Sequence, residues 1–352
     1  MVWRPAQRWG VGCALAYALT CPALALGGTV VADVADGTLL RQVDGASHLE
    51  TRLAASLLLV HVIDQAFQAG ALRPATVVAV VQGPGTDRPL PETTHLTADE
   101  LLLLLLLTGD RTAAHSLALS VEQSIGAMRT RMLAAASRLG LTATSEPPTP
   151  DEALAVDGAL RTSGRDLAQL GLALTQTPDI RARLDLDGAP IANGQFIVRA
   201  TNPLIARGRR KGSARAALTL ERRNDLELLA VATGADAYTT AWETLSNALD
   251  RYERQVIVHS GQEVGPPVHV RGGIIPRFTA VAAERFAITA RRDAAPRVAT
   301  RLQLPTHVDA PVDVSQTVGE LVIEQQGEVV AVVPLVAPRT IAPRRWLGAS
   351  FR

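Results

Sequence analysis

The chain has 352 residues, 47% of them hydrophobic and 20% charged, with a formal net charge of +1. A single core stops growing at roughly 250–300 residues, so this length points to two units rather than one. Near-neutral charge excludes a general nucleic-acid binder, which needs a basic face. Aromatic residues make up only 3%, leaving Leu, Val and Ala to build the core, and Lys211 is the only lysine.

Residues 1–25 read as a signal peptide: Arg4 and Arg8 precede an apolar stretch from Val11 to Leu19, and Ala23-Leu24-Ala25 offers small residues for cleavage. Removal takes away two positive charges and no acidic ones, so the formal charge falls from +1 to −1. Cys13 and Cys21 both lie in that segment. The exported chain would then have neither disulfides nor a thiolate metal site. Lipidation at Cys21 is disfavoured by Ala18, Thr20 and the following Pro22. The expected location is the periplasm or cell envelope.

Next come "TVVADV" and "LLRQV" around Asp36-Gly37, a hairpin signal. A helix is predicted from Leu53 to Ala69, ended by Gly70, and "ATVVAVV" reads as a strand. Thr97-Ala98-Asp99-Glu100 is a capping box before the seven leucines Leu101–Leu107. That run is far short of the roughly 20 apolar residues of a membrane span, so a buried helix is predicted. Thr108-Gly109-Asp110 stops it. Ser120-Val121-Glu122-Gln123 is read as the cap of the next helix, and Ser163 as the cap of "GRDLAQLGLAL". "ARAALTLE" and "LELLAVAT" flank Asn224-Asp225 as a second hairpin, and an amphipathic helix runs to about Arg254. From Gln255 the period becomes alternating, in short strands that end with a hairpin tipped by Gln326-Gly327.

In order and spacing, these segments resemble the serine D-Ala-D-Ala carboxypeptidases, the low-molecular-weight penicillin-binding proteins. The resemblance is carried by "VVADVADGTLLRQVDGASH", "HVIDQAFQAGAL", "LTADELLLLLLLTGDRTAAHSLA", "TSGRDLAQLGLAL" and "HVDAPVDVSQTVGELVIEQQGEVVAVVPLV". It implies an α/β (α+β) transpeptidase/β-lactamase-like domain, a mainly antiparallel sheet flanked by helices, followed by a small all-β domain. The expected divisions are a signal peptide (1–25), the transpeptidase-like domain (26–254), the β-domain (255–338) and a short tail (339–352).

The family's chemistry rests on Ser-x-x-Lys, Ser-x-Asn and Lys-Thr-Gly. In the first, residues three apart share a helical face, so the lysine can take the serine's proton. Carried across from "HVIDQAFQAG", the nucleophile's position falls on Leu53 and the lysine's on Ser56. The second motif falls on Thr108-Gly109-Asp110 and the third on Ala206-Arg207-Gly208. Placing the third at Lys211-Gly212-Ser213 would reverse its internal order and shorten the next strand. Two lysines are needed and one exists; Gly208 stands three residues before it, so the chain contains no Ser-x-x-Lys. Arginine is effectively never deprotonated and cannot replace a lysine base.

No other constellation takes over. On a helix, His61 diverges from Ser56 by more than a right angle. His115 reads as a helix-surface residue, and the seven histidines show no metal-ligand spacing, so neither metal nor cofactor is expected. "RGRRKGSAR" is the one dense basic run. It is either a solvated loop or, through Arg207, Arg209, Arg210 and Lys211, a rim that attracts the carboxylate of a peptidoglycan stem peptide. The tail residues Arg344, Arg345, Trp346 and Phe351 suit at most a weak peripheral membrane contact. The reading is thus of a catalytically inactive homologue that binds peptidoglycan or an envelope protein. The alternative is a serine-type D-Ala-D-Ala carboxypeptidase that trims stem pentapeptides.

Overall fold

The computed structural model describes residues 28–82, 95–147, 155–201, 203–208, 214–295, 298–325 and 327–344. The expected signal peptide, Arg209, Arg210, Lys211 and the tail from Arg345 onward lie outside these residues.

The first unit opens with β1 (Thr29–Asp33), β2 (Leu39–Val43) and β3 (His48–Thr51). It continues through α1 (Arg52–Gln68), β4 (Val77–Val78), β5 (Leu96–Thr97), α2 (Ala98–Thr108), α3 (Arg111–Val121) and α4 (Ile125–Arg138). Next come β6 (Leu160–Ser163), α5 (Gly164–Thr175), α6 (Pro178–Leu184), β7 (Gly188–Ile191) and β8 (Phe196–Arg199). The edge strand β9 (Ala206–Arg207), the hairpin β10 (Ala216–Arg223) and β11 (Leu226–Thr233), and α7 (Ala237–Arg251) complete it. Five strands form one sheet in the order β2-β1-β11-β10-β9, antiparallel except for the two-residue pairing of β9 with β10.

Local chemistry explains the helix boundaries. Thr97 Oγ1 accepts from the Glu100 amide (3.2 Å) while Glu100 Oε2 accepts from the Thr97 amide (2.8 Å), so both halves of the capping box form. Every leucine of α2 is buried, because a helix that is apolar all round has no face to give to water. Gly109 then takes a left-handed backbone (φ +65°) and ends the helix. Ser163 caps α5 as predicted, accepting from the Asp166 amide at 3.1 Å. The cap expected at Ser120 is in fact Ser124, which accepts from Ala127 (3.2 Å). Ser120 lies inside α3, where its hydroxyl donates back to Leu117 O, satisfying itself locally instead of starting a helix. The strand expected over 75–81 shrinks to Val77–Val78.

One helical layer is built by α1, α2, α3 and α4, whose buried apolar side chains share a single core with the inner face of the sheet. There α5 lies so close that a Cβ on Gly171 would stand 2.6 Å from a Leu218 methyl and 2.8 Å from one of Leu229. On the opposite face, α7 packs Leu245 and Leu249 against Val31, Leu228 and Ala230.

The second unit is all β: β12 (Tyr252–Val258), β13 (Val268–Arg271), β14 (Arg277–Phe278), β15 (Val281–Ala282), β16 (Phe286–Arg291), β17 (Val298–Gln303), β18 (His307–Asp309), β19 (Thr317–Gln325) and β20 (Glu328–Val336). Its largest sheet runs β15-β20-β19-β17 over a separate core that includes Val268, Phe278, Ile323 and Leu335. At the seam, fully buried Asp33 accepts from Thr289 Oγ1 and from Arg254 Nη1 (2.9 Å), so a strand end of the first unit is tied to the β12–β16 ribbon.

Candidate functional site

The positions matched to the three motifs lie at the start of α1, at the junction of α2 with α3, and on β9. Leu53 is the second residue of α1, whose cap is Thr51 (Leu53 amide to Thr51 Oγ1, 3.2 Å). Ser56 lies one turn further in and is buried, 6% exposed. Thr108 ends α2 with its hydroxyl donating to Leu104 O (2.7 Å). Asp110 caps α3 by accepting from the Ala113 amide at 2.8 Å. Burial pushes the Asp110 carboxyl above the usual carboxylate range, the amides of Ala113 and Thr112 oppose this, and the nearby Asp157 charge adds to it.

A residue the sequence reading overlooked joins the first two positions. Asp157, 4% exposed, pairs with Arg52, the neighbour of Leu53, and with Arg111 Nε (3.2 Å), the neighbour of Asp110. Its loop is held by buried Arg129, which binds Glu146 and donates to the carbonyls of Ala155 (3.0 Å) and Gly158 (3.4 Å). The available signal was a lone acid in the apolar stretch "ALAVDGAL", where a charge needs a partner.

The third position sits on the other side of α2. Ala206 is fully buried on β9, opposite Thr219. Just before it, the Leu204 amide donates to Leu106 O at 3.0 Å, drawing this strand's backbone against α2. Arg207 pairs with Asp185 and, at 3.4 Å, with Glu227, which also takes both oxygens to Arg181; the Arg207 Nε is buried without a partner. The hollow between these elements, lined by Leu106, Leu107, Leu184, Ile205 and Arg207, measures about 10 Å³. That is room for about one water molecule.

The two histidines take ordinary packing roles. His61 Nε2 accepts from Gln65 Nε2 (3.0 Å), and burial, with Arg138 nearby, lowers its pKa. His115, half-buried on α3, is lowered by burial and partly restored by Asp157. Among the described residues, no group of three or more His, Cys, Asp or Glu side chains is arranged to hold a metal ion. Nor is any described helix long and apolar enough to cross a membrane.

Residues 252–343 match the family described as Penicillin-binding protein 5, C-terminal domain. Penicillin-binding protein 5 from Haemophilus influenzae superposes with a TM-score of 0.60 at 15% identity, covering 92% of this chain and 99% of that one. Penicillin-binding protein 6B from Escherichia coli gives 0.61 at 18%, over 92% and 98%. A peptidoglycan synthesis regulatory factor (PBP3) from Streptococcus pneumoniae gives 0.67 at 18%, over 89% and 98%. The chain has the fold of the low-molecular-weight penicillin-binding proteins. No curated protein sequence matches it.

Proposed function

We propose that this protein is a catalytically silent relative of the serine D-Ala-D-Ala carboxypeptidases, exported to the periplasm or cell envelope, where it binds peptidoglycan stem peptides or an envelope protein. The observation that carries this reading is the side-chain chemistry at the start of α1. Leu53 offers no nucleophile, Ser56 is buried, and the only lysine, Lys211, belongs to no Ser-x-x-Lys. An acyl-enzyme route needs a hydroxyl with a base one turn away. The volume of about 10 Å³ beside β9 and the pairing of Arg207 with two carboxylates support the catalytic silence, and they put any stem-peptide binding away from the third motif position.

Two assays decide it. The purified protein should form no covalent adduct with a labelled β-lactam and should release no D-Ala from a pentapeptide. A covalent ester on any serine, Ser56 above all, would sink the silent reading. Binding is tested by retention on purified peptidoglycan. Retention that is unchanged in an Arg209→Ala/Arg210→Ala variant removes the basic run from the binding surface.

A further inference from the structure

The β12–β16 ribbon turns one face toward the first unit. Tyr252 and Arg254 lie on it, opposite Arg291 and Thr289. Two hollows open along this seam. The larger, about 290 Å³, is lined by Arg222, Arg254, Arg285 and Asp225 among others. Its cations are largely matched: Arg285 pairs with Asp225 at 3.1 Å, and Arg254 with buried Asp33 at 2.9 Å and Asp36 at 3.6 Å. Two of the three arginines thus take up three carboxylates, and Arg222 Nε donates to Asn224 O at 3.3 Å.

The smaller hollow, about 60 Å³, is different. Arg41 of β2, Thr244, Asn247 and Arg251 of α7, Tyr252 of β12 and Arg291 of β16 border it, and no carboxylate lines it. Arg291 is paired with Asp293 at 2.6 Å, outside the lining. Among the described residues, Arg41 and Arg251 have no ion-pair partner within 4 Å. The Tyr252 hydroxyl donates to Leu40 O (3.0 Å), which fixes the ring as a wall. Around a space sized for one small oxyanion stand two guanidiniums without an ion pair, an amide and a hydroxyl; the third guanidinium, Arg291, is held by Asp293 through Nε (2.9 Å) and Nη2 (2.6 Å).

We propose that this hollow binds a single phosphate group. Guanidinium forks match phosphate oxygens two at a time, and the two unpaired ones of Arg41 and Arg251, set around the hollow with the Asn247 amide, suit a tetrahedral anion better than a planar carboxylate. Because β2 and α7 belong to one unit and β16 to the other, the bound phosphate would bridge the seam.

The test is calorimetric titration of the full chain with inorganic phosphate at constant ionic strength, with acetate as comparator. Saturable phosphate binding is expected, weakened at least about tenfold by Arg41→Ala/Arg251→Ala, the loss of two charge-assisted contacts. Arg222→Ala, in the matched hollow, should leave it unchanged. Both replaced side chains are exposed, so an unaltered thermal melt checks that the double variant is folded. No saturable binding by the wild type, equal acetate binding, or an equal loss in Arg222→Ala overturns the proposal. Sedimentation with phosphatidylglycerol vesicles, but not with phosphatidylcholine ones, lost in the double variant, assigns the phosphate to a lipid headgroup. Phosphate binding without vesicle binding assigns it to a soluble phosphate or phosphodiester.

Discussion

Two arginine-bordered hollows of this molecule have opposite characters. Beside β9, Arg207 reaches Asp185 and Glu227, and the space it borders is apolar and about 10 Å³. Under the end of α7, Arg41 and Arg251 form no ion pair among the described residues, and the space is about 60 Å³. Local arginine density does not separate the two. A guanidinium is available to a ligand only where the fold brings no carboxylate within reach, because a formed pair has already exchanged its water for a partner.

The largest effect expected from breaking that contrast is at Asp157. Asp157→Ala leaves Arg52 and Arg111 without their shared counter-charge. Both arginines are partly solvated, so the loss should be about 2–3 kcal/mol, below the range for fully buried pairs. Urea unfolding measures it, and a loss under about 0.5 kcal/mol, the scale of an ordinary surface change, would mean that Asp157 does not hold Arg52 and Arg111 in place.

Next is Glu227→Gln, which keeps an acceptor but removes the charge serving Arg181 and Arg207. A decrease of about 1–2 kcal/mol is expected, because Glu227 and both arginines keep part of their side-chain surface in water, which puts the pairs between exposed and fully buried ones. If thermal melts show no change, the Arg207 network contributes nothing to stability and its guanidinium is as available as those at the seam.

The smallest effect concerns Asp110. A carboxyl raised in the folded state favours protonation there, so its ionised form costs stability that returns as pH falls through the folded pKa toward the ordinary value of 3.8. Asn caps helices about as well as Asp. Asp110→Asn should therefore gain slightly on the wild type at neutral pH, and the gap should close in melts taken below pH 3.8. A gap independent of pH would mean that the Asp157 and burial effects on Asp110 are absent.

Much of the fold was legible in the residues alone. The capping box at Thr97, the stop at Gly109, the cap at Ser163 and the two hairpins carry their signals within a few positions. The misplacement of the α4 cap had a local cause as well, since Ser120 and Ser124 have the same chemistry and only the continuation of α3 decides between them. The short α6 went unread because seven residues carry too little periodicity. The candidate site was legible in part. The positions expected for the three motifs follow from the resemblance and its spacing, whereas Asp157, Asp185 and Glu227 gave no sign of where their charges would go.

The sequence by itself determined the elements, the absence of a serine–lysine turn and the count of one lysine, because these depend on neighbours a few residues apart. The tertiary structure alone decided which charges meet. Arg41 and Arg291 are 250 positions apart and border one hollow, while Arg207 in the densest basic run is held by acids at 185 and 227. Coulombic pairing acts over a few ångströms of space, and separation along the chain says little about it.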